Sequence, residues 1–459
     1  MSKRLLMGNE AIALGALRAG ALVFTGYPGT PSTEILETVA REKPGGVYYE
    51  WSVNEKSAME VAAGAAQSGA RALVTMKQVG LNVASDPLMS LNYVGVKAGM
   101  VIVVADDPGP ISSQTEQDTR HFGRFAKLCV FDPSTPEEAY LMAGEAFAWS
   151  ERIGRPVILR PTTRICHSYA TVEILPDLPR AIPEGFTKDG GRWAIFPRLS
   201  YANKIKIEET LKGIAEFEGN SADDFQGVID SKSAGNLLIK GLDAGEGIEP
   251  GAKRYDIASG AKRYGIASGG VSWLYVREAL AEITAASGAS EVASSDRDVY
   301  KKDAARGSSP RHDSQGSDAA AAKLPNYDLL KIGAYPLPEK RCLDFLNGVD
   351  EVLVLEELDP FIEDELARLA GRYQIGVPIR GKRTGDIFNA GEGSTAFARA
   401  DIERFLGLPA GQGKQENQGD SDQEEGAVRN QRIQDERGSQ SIQSECGNQD
   451  IQAERGSQG

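Results

Sequence analysis

Cysteine is scarce in this chain: Cys129, Cys166, Cys342 and Cys446 are the four in 459 residues. None stands in a CxxC or CxH spacing, so the chain alone builds no cysteine-rich iron–sulfur or zinc centre. No disulfide framework is expected, which fits a reducing compartment. Long apolar runs are also missing. No stretch reaches the roughly 18 residues of a membrane span. The start, "MSKRLLMGNEAIALG", has a basic pair but no sustained apolar core, so no signal peptide is expected and a cytoplasmic location is the default. A surplus of base is absent as well. The net charge is −14 and basic clusters are lacking, which argues against nucleic-acid binding.

What is present is alternation. Residues 1–165 carry strand-like runs, "ALVFT", "VYYEW", "RALVTM", "GMVIVVA", "LCVF" and "PVILR". Helix-like stretches such as "TPSTEILETVARE" and "TPEEAYLMAGEAFAWSERIG" lie between most of them. Several runs are apolar throughout, as strands covered on both faces are, and alternating β and α of this length predicts a doubly wound parallel sheet within residues 1–184. A connector with one helix follows over 185–217. A second, smaller α/β domain is expected over 264–409, beginning with "YGIAS" and including "DEVLVLEE" and "FIEDELARLAGR".

Three stretches, roughly 218–250, 285–323 and 410–459, are too polar to repay the entropy of ordering and are expected to be disordered. Residues 411–459 hold ten acidic residues against five basic ones and repeat a nine-residue unit, "IQDERGSQS", "IQSECGNQD", "IQAERGSQG". Another nine-residue duplication, "GAKRYDIAS" then "GAKRYGIAS", occupies 251–268, overlapping an insert assigned to 218–263. Neither repeat has the glycines and aspartate of a calcium-binding roll. Duplication in tolerant sequence is the stronger reading.

Three stretches after successive strands can carry chemistry. In "TGYPGTPSTE" (25–34), Thr30 can cap the next helix and Pro31 suits its first turn. The free N–H groups there would suit a carboxylate or phosphate, and a plain capped helix is an equal reading. In "EWSVNEKSAMEVAAGAAQSG", Glu55 opens a helix. An acid at a helix N-terminus is ordinary, but Ala62, Ala63, Gly64, Ala65 and Ala66 behind it are small enough for something to pack closely, leaving Glu55 partly desolvated. In "TMKQVGLN" (75–82), Lys77 and Gln78 could bond a ligand or simply be solvated. Three loops on one edge of such a sheet are what a ligand cleft requires. His121 and His167 show no partner carboxylate in the sequence and are read as structural.

Taken together, "GYPGTPSTE", "EWSVNEKSAMEVAAGAAQSGARALVTMKQVGLNVASDPLMSL" and "VIVVADDPGPISSQTEQDTR" resemble the large (alpha) subunit of indolepyruvate:ferredoxin oxidoreductase, a relative of pyruvate:ferredoxin oxidoreductase. "RPVILRPTTRICHS" and "VLEELDPFIEDELARL" extend the resemblance. It implies a pyrimidine-binding domain of thiamine-diphosphate enzymes followed by a transketolase-C-terminal-like domain. It also implies thiamine diphosphate with Mg as cofactor and Glu55 as the catalytic glutamate paired with the aminopyrimidine. Thr30 would then face the 2-oxo acid, and Lys77 and Gln78 would lie along the cofactor. The implied reaction is oxidative decarboxylation of an arylpyruvate to an acyl-CoA, with electrons passing through iron–sulfur clusters to ferredoxin.

The sequence also departs from that family. Its large subunit holds the diphosphate and magnesium with a GDG-type motif followed by Asn. The candidates here, "TGDIFN" (384–389) and "QGDSD" (418–422), lack a strand–loop–helix setting, and no cluster-binding cysteines follow. The chain therefore resembles an amino-terminal part, to be completed by a diphosphate- and cluster-binding portion and the small (beta) subunit. Two other readings stay open: a non-catalytic assembly or binding subunit, and a thiamine enzyme of the acetolactate synthase or transketolase type.

Overall fold

A computed structural model describes residues 2–215, 237–239, 262–286 and 324–409. The chain begins β1 (Ser2–Met7), α1 (Gly8–Arg18), β2 (Val23–Gly26), α2 (Thr33–Glu42), β3 (Tyr48–Trp51), α3 (Glu55–Gln67), β4 (Ala72–Lys77) and α4 (Gln78–Val94). It continues with β5 (Met100–Ala105), α5 (Thr119–Ala126), β6 (Cys129–Phe131), α6 (Pro136–Ile153), β7 (Val157–Leu159), α7 (Thr163–His167) and β8 (Tyr169–Ile174). The short α8 (Gly190–Trp193) and the long α9 (Pro197–Ala215) follow.

Helix boundaries follow local chemistry. At α6 the Thr135 hydroxyl accepts the Glu138 N–H at 3.2 Å, Pro136 occupies the first turn, and Gly154 ends the helix at φ +64°.

Strands β6, β7, β5, β4, β2 and β3 lie parallel in that order. Alternate residues of the buried strands face opposite layers, as the pleat requires. Leu73, Val101 and Val103 pack with Ile12, Ile35 and Phe147 of α1, α2 and α6. Val74, Met76, Ile102 and Val104 pack with Ala58, Met59, Leu81 and Ala126 of α3, α4 and α5. The expected doubly wound sheet is present. Outside it, β1 pairs antiparallel with β8, a ribbon the apolar patterning did not announce.

The second sheet contains β9 (Leu237–Ile239), β10 (Tyr264–Gly269), β11 (Tyr327–Ile332), β13 (Glu351–Leu355) and β14 (Ile379–Arg380), in the order β14-β13-β10-β11-β9. Its helices are α10 (Ser272–Ala286), α11 (Glu339–Leu346), α12 (Phe361–Tyr373) and α13 (Thr395–Phe405). One face packs on α11 and α12, the other on α10 and α13. The remaining strand, β12 (Ala334–Tyr335), pairs antiparallel with β6 and joins the first sheet. Both sheets belong to one compact unit, Met1–Pro409.

The polar stretches need one correction. Residues 237–239, inside the span read as disordered, form β9 against β11, where the apolar triplet supplies a ladder to backbone groups that an edge strand leaves unpaired. Residues 285 and 286 likewise end α10. The rest of 218–250 and 287–323, and all of 410–459, lie outside the described residues.

Candidate active site

Strands β2 and β4 are neighbours, yet their following helices go to opposite faces: α2 packs on one layer and α4 on the other. Such a reversal opens a crevice at the carboxyl ends of the strands, where ligands bind in open α/β sheets. The Thr30 loop leaves β2, and Lys77 and Gln78 leave β4. Glu55 enters from the adjacent β3, on the α4 side.

Glu55 is the first residue of α3. The preceding Asn54 caps the helix, its side chain accepting the Ser57 N–H at 2.9 Å. The expectation of close packing behind Glu55 holds, because α3 and α4 meet through buried Ala58, Ala62, Ala63 and Ala66. The Glu55 side chain rests on Gly80: a Cβ at position 80 would stand 2.5 Å from its Oε1 and 2.9 Å from its Cδ. Glu55 is half-buried, and among the described residues no hydrogen bond or ion pair uses its carboxylate.

Thr30 is exposed on the same rim, but it is not the helix cap. Ser32 occupies the cap position, and the turn is closed by Gly29 N–H to the Thr33 hydroxyl at 2.9 Å and the Ser32 hydroxyl to Gly29 O at 3.0 Å. The chain reverses after Thr30, so the helix begins later than the Thr-Pro pair suggests. Lys77 is half-buried, and a Cβ on Gly29 would meet its side-chain Cδ at 3.1 Å, so the β2 and β4 loops touch. Gln78 is only 1% exposed. Its Nε2 donates to Thr115 O at 3.3 Å, and its Oε1 has no hydrogen-bond partner.

The sequence reading missed the wall formed by residues 107–117, after β5. Ser112 Oγ lies 3.1 Å from Thr30 O, and Thr115 O accepts from Gln78. Its signal was visible: "DDPGPISS" is a strand end running into turn-forming residues. The histidines also differ from expectation, since each has a carboxylate in reach. His121 Nε2 is 3.0 Å from Asp359 Oδ2, and His167 Nε2 is 3.7 Å from Glu34 Oε2.

Behind the crevice the two sheets meet across buried ion pairs. Arg120 binds Asp118 at 2.5 Å and Glu356 at 2.7 Å, and also reaches the carbonyls of Glu357 and Asp359 at 2.9 Å. Within the first sheet, next to that seam, Arg160 binds Asp106 at 2.6 Å and Asp132 at 3.1 Å. Burial pushes the Asp106 carboxyl up to about 6 against the pull of Arg160, and pushes Glu357 up to about 7.

These residues match the needs of one end of thiamine diphosphate. A half-buried carboxylate free of protein partners, in a cradle that any larger residue at position 80 would fill, suits the aminopyrimidine ring. The diphosphate end finds no such match among the described residues. Asp118, His121 and Asp359 bring ligand atoms within 4.8 Å of one another, but both Asp118 oxygens already bind Arg120.

Residues 14–206 match the family model described as pyruvate flavodoxin/ferredoxin oxidoreductase, thiamine diphosphate-binding. Indolepyruvate oxidoreductase subunit IorA of Methanothermobacter thermautotrophicus is 34% identical over 410 residues, covering 89% of this chain and 55% of its own. The same subunit of Thermococcus kodakarensis is 36% identical over 412 residues, covering 88% and 53%. The chain thus spans about half the length of the curated relatives it matches. The solved 2-oxoglutarate:ferredoxin oxidoreductase of Magnetococcus marinus, with 2-oxoglutarate, coenzyme A and succinyl-CoA bound, shares the fold. Its TM-score is 0.57 at 16% identity, over 88% of this chain and 65% of that one. The resemblance drawn from the motifs, to the amino-terminal part of an indolepyruvate oxidoreductase large subunit, is borne out. No helix among the described residues is long and apolar enough to cross a membrane.

Proposed function

We propose that this chain is the pyrimidine-side component of a thiamine-diphosphate-dependent 2-oxo acid:ferredoxin oxidoreductase acting on an arylpyruvate such as indolepyruvate. The observation that carries the reading is the unpartnered Glu55 carboxylate, resting on Gly80 in the switch-point crevice. Bound thiamine diphosphate supplies the nucleophilic carbon and the electron sink for decarboxylation. Glu55 holds and returns a proton at the aminopyrimidine nitrogen, a task for a partly desolvated carboxyl group. Thr30, exposed at the mouth, faces the 2-oxo acid. Lys77 and the free Gln78 Oε1 line the cofactor's flank. A diphosphate- and cluster-binding portion outside the described residues, in a further domain or a partner, holds the diphosphate, its magnesium and the iron–sulfur clusters, and the small subunit completes the assembly. Coenzyme A takes the acyl group, ferredoxin takes the electrons, and the enzyme works in the cytoplasm.

The isolated chain is therefore expected neither to bind thiamine diphosphate tightly nor to reduce ferredoxin. Mixing it with a polypeptide carrying the diphosphate domain and clusters, plus the small subunit, restores turnover with indolepyruvate. In that mixture Glu55→Gln lowers the rate by about 100- to 10,000-fold while assembly is unchanged. Wild-type turnover by that variant refutes the role of Glu55. Micromolar, magnesium-dependent binding of the cofactor by the chain alone refutes the division of labour. A second reading, a non-catalytic assembly subunit, draws on the absence of a diphosphate holder among the described residues; it predicts assembly without turnover in the same mixture.

A further inference from the structure

The wall over residues 107–117 is anchored at its root by one carboxylate. Asp107 is fully buried. Its Oδ1 accepts the Thr163 hydroxyl at 2.7 Å, and its Oδ2 accepts the Ser112 N–H at 2.8 Å. The Ser112 hydroxyl stands 3.2 Å from that same Oδ2 and 3.1 Å from Thr30 O, so its single proton lies between the anchor and the substrate-side loop. Burial alone would raise the Asp107 carboxyl, but the Ser112 N–H and the Thr163, Ser113 and Ser112 hydroxyls outweigh it and hold it below the usual range.

The second sheet braces the wall from its other side. Gly109 has φ +73°, and a Cβ there would stand 3.0 Å from Glu392 N and 3.4 Å from Gly391 Cα. The Glu392 carboxylate accepts from Arg164 Nε at 2.8 Å and Nη2 at 2.7 Å, tying its turn to α7 beside the first sheet. Gly393 N–H donates to Glu357 Oε1 at 3.0 Å, fixing the end of that turn.

We propose that Asp107 is a positioning residue: it fixes the 108–117 wall so that Ser112 holds the Thr30 peptide and Thr115 holds Gln78, with the 391–393 turn as the outer brace. The proposal rests on the reading that Thr30 faces the 2-oxo acid, and it adds a reason for the second sheet to lie against the first. A loop held for stability alone would also use Asp107. It would not require the Ser112 hydroxyl to point at Thr30, nor the Thr115 carbonyl to meet the buried Gln78 amide.

Two variants of the full chain separate these cases. Asp107→Asn keeps size and shape but cannot accept from both Ser112 N–H and Thr163 with the same two atoms. Amide hydrogen exchange over 109–117 should then rise by about tenfold or more, while β4 and β5 keep their protection. Ser112→Ala leaves the Asp107–Ser112 N–H bond and removes the link to Thr30. Exchange should rise over 27–33, with 109–117 little changed. In the reconstituted enzyme Ser112→Ala should raise KM for indolepyruvate several-fold with a smaller change in kcat. Should Asp107→Asn unfold the chain, Ser112→Ala decides: unchanged exchange at 27–33 overturns the proposal, and so does exchange raised uniformly over both strands. A wild-type mixture without turnover defeats the functional reading, while the exchange data still decide the positioning.

Discussion

Replacing Gly80 by alanine adds one methyl where α4 supports the Glu55 side chain. That carbon would stand 2.5 Å from Glu55 Oε1, 2.7 Å from Cγ and 2.9 Å from Cδ. Comfortable contacts between such atoms begin near about 3.5 Å, so the carboxyl group must swing away by roughly 1 Å. Glycine to alanine inside a helix gains about 1 kcal/mol, and forcing an extra methyl into a packed place costs about 1–3 kcal/mol. Glu55 is half-buried and can turn toward solvent, which keeps the cost at the lower end. Stability should therefore change by no more than about 2 kcal/mol, whereas a displacement of roughly 1 Å in a proton-transferring group can cost about 100-fold in rate. Urea denaturation of Gly80→Ala reads the first quantity, and indolepyruvate turnover in the reconstituted mixture reads the second. Full turnover with an unchanged midpoint would show that the Gly80 cradle does not set the position of Glu55.

Other outcomes follow from the same structure. Gly265→Asp makes the second copy of the nine-residue duplication identical to the first. It also puts a carboxylate on buried β10, where a Cβ already meets Phe345 Cζ at 2.7 Å. A loss of roughly 4 kcal/mol or more is expected, and a wild-type urea midpoint would refute the packing. Arg120→Ala strands Asp118 and Glu356 in the seam between the sheets and should cost about 3–5 kcal/mol in the same assay; a near-neutral result would mean that water reaches those acids. Burial holds the Glu357 carboxyl at about 7 against an ordinary 4.5; the Gly393 N–H, Arg160 and Lys382 favour its charge and Glu392 opposes it. A carboxyl raised on folding stabilises fully below the lower value and loses that stabilisation as pH climbs through the higher one, about 3 kcal/mol in all. Glu357→Gln should consequently flatten the thermal-stability profile between pH 5 and 8 and be the more stable protein at pH 8. A profile parallel to the wild type contradicts this.

Much of the architecture was legible because its signals are local. A strand covered on both faces must be apolar throughout, so "MVIVVA" and "ALVTMK" announce β5 and β4 without reference to anything distant. Small residues in α3 announce a close neighbour in the same way. Thr30 shows the limit of such reading: the Thr-Pro pair looks like a cap and a first turn, but the path of the chain after Gly29 makes Ser32 the cap residue.

The amino-acid order by itself determined the alternation of strands and helices, the placement of Glu55 and Lys77 beside strand ends, and the family motifs. Each depends on residues close together in the chain. Only the tertiary structure decided that β12 leaves the second sheet to pair with β6, about 200 residues earlier, and that Arg120 is shared between the sheets. It alone turned Gln78 toward Thr115 and set Asp107 beneath the Thr30 loop. Backbone pairing and buried charge are satisfied by whichever partner the packed chain brings within about 3 Å, and no pattern of neighbours along the sequence names that partner.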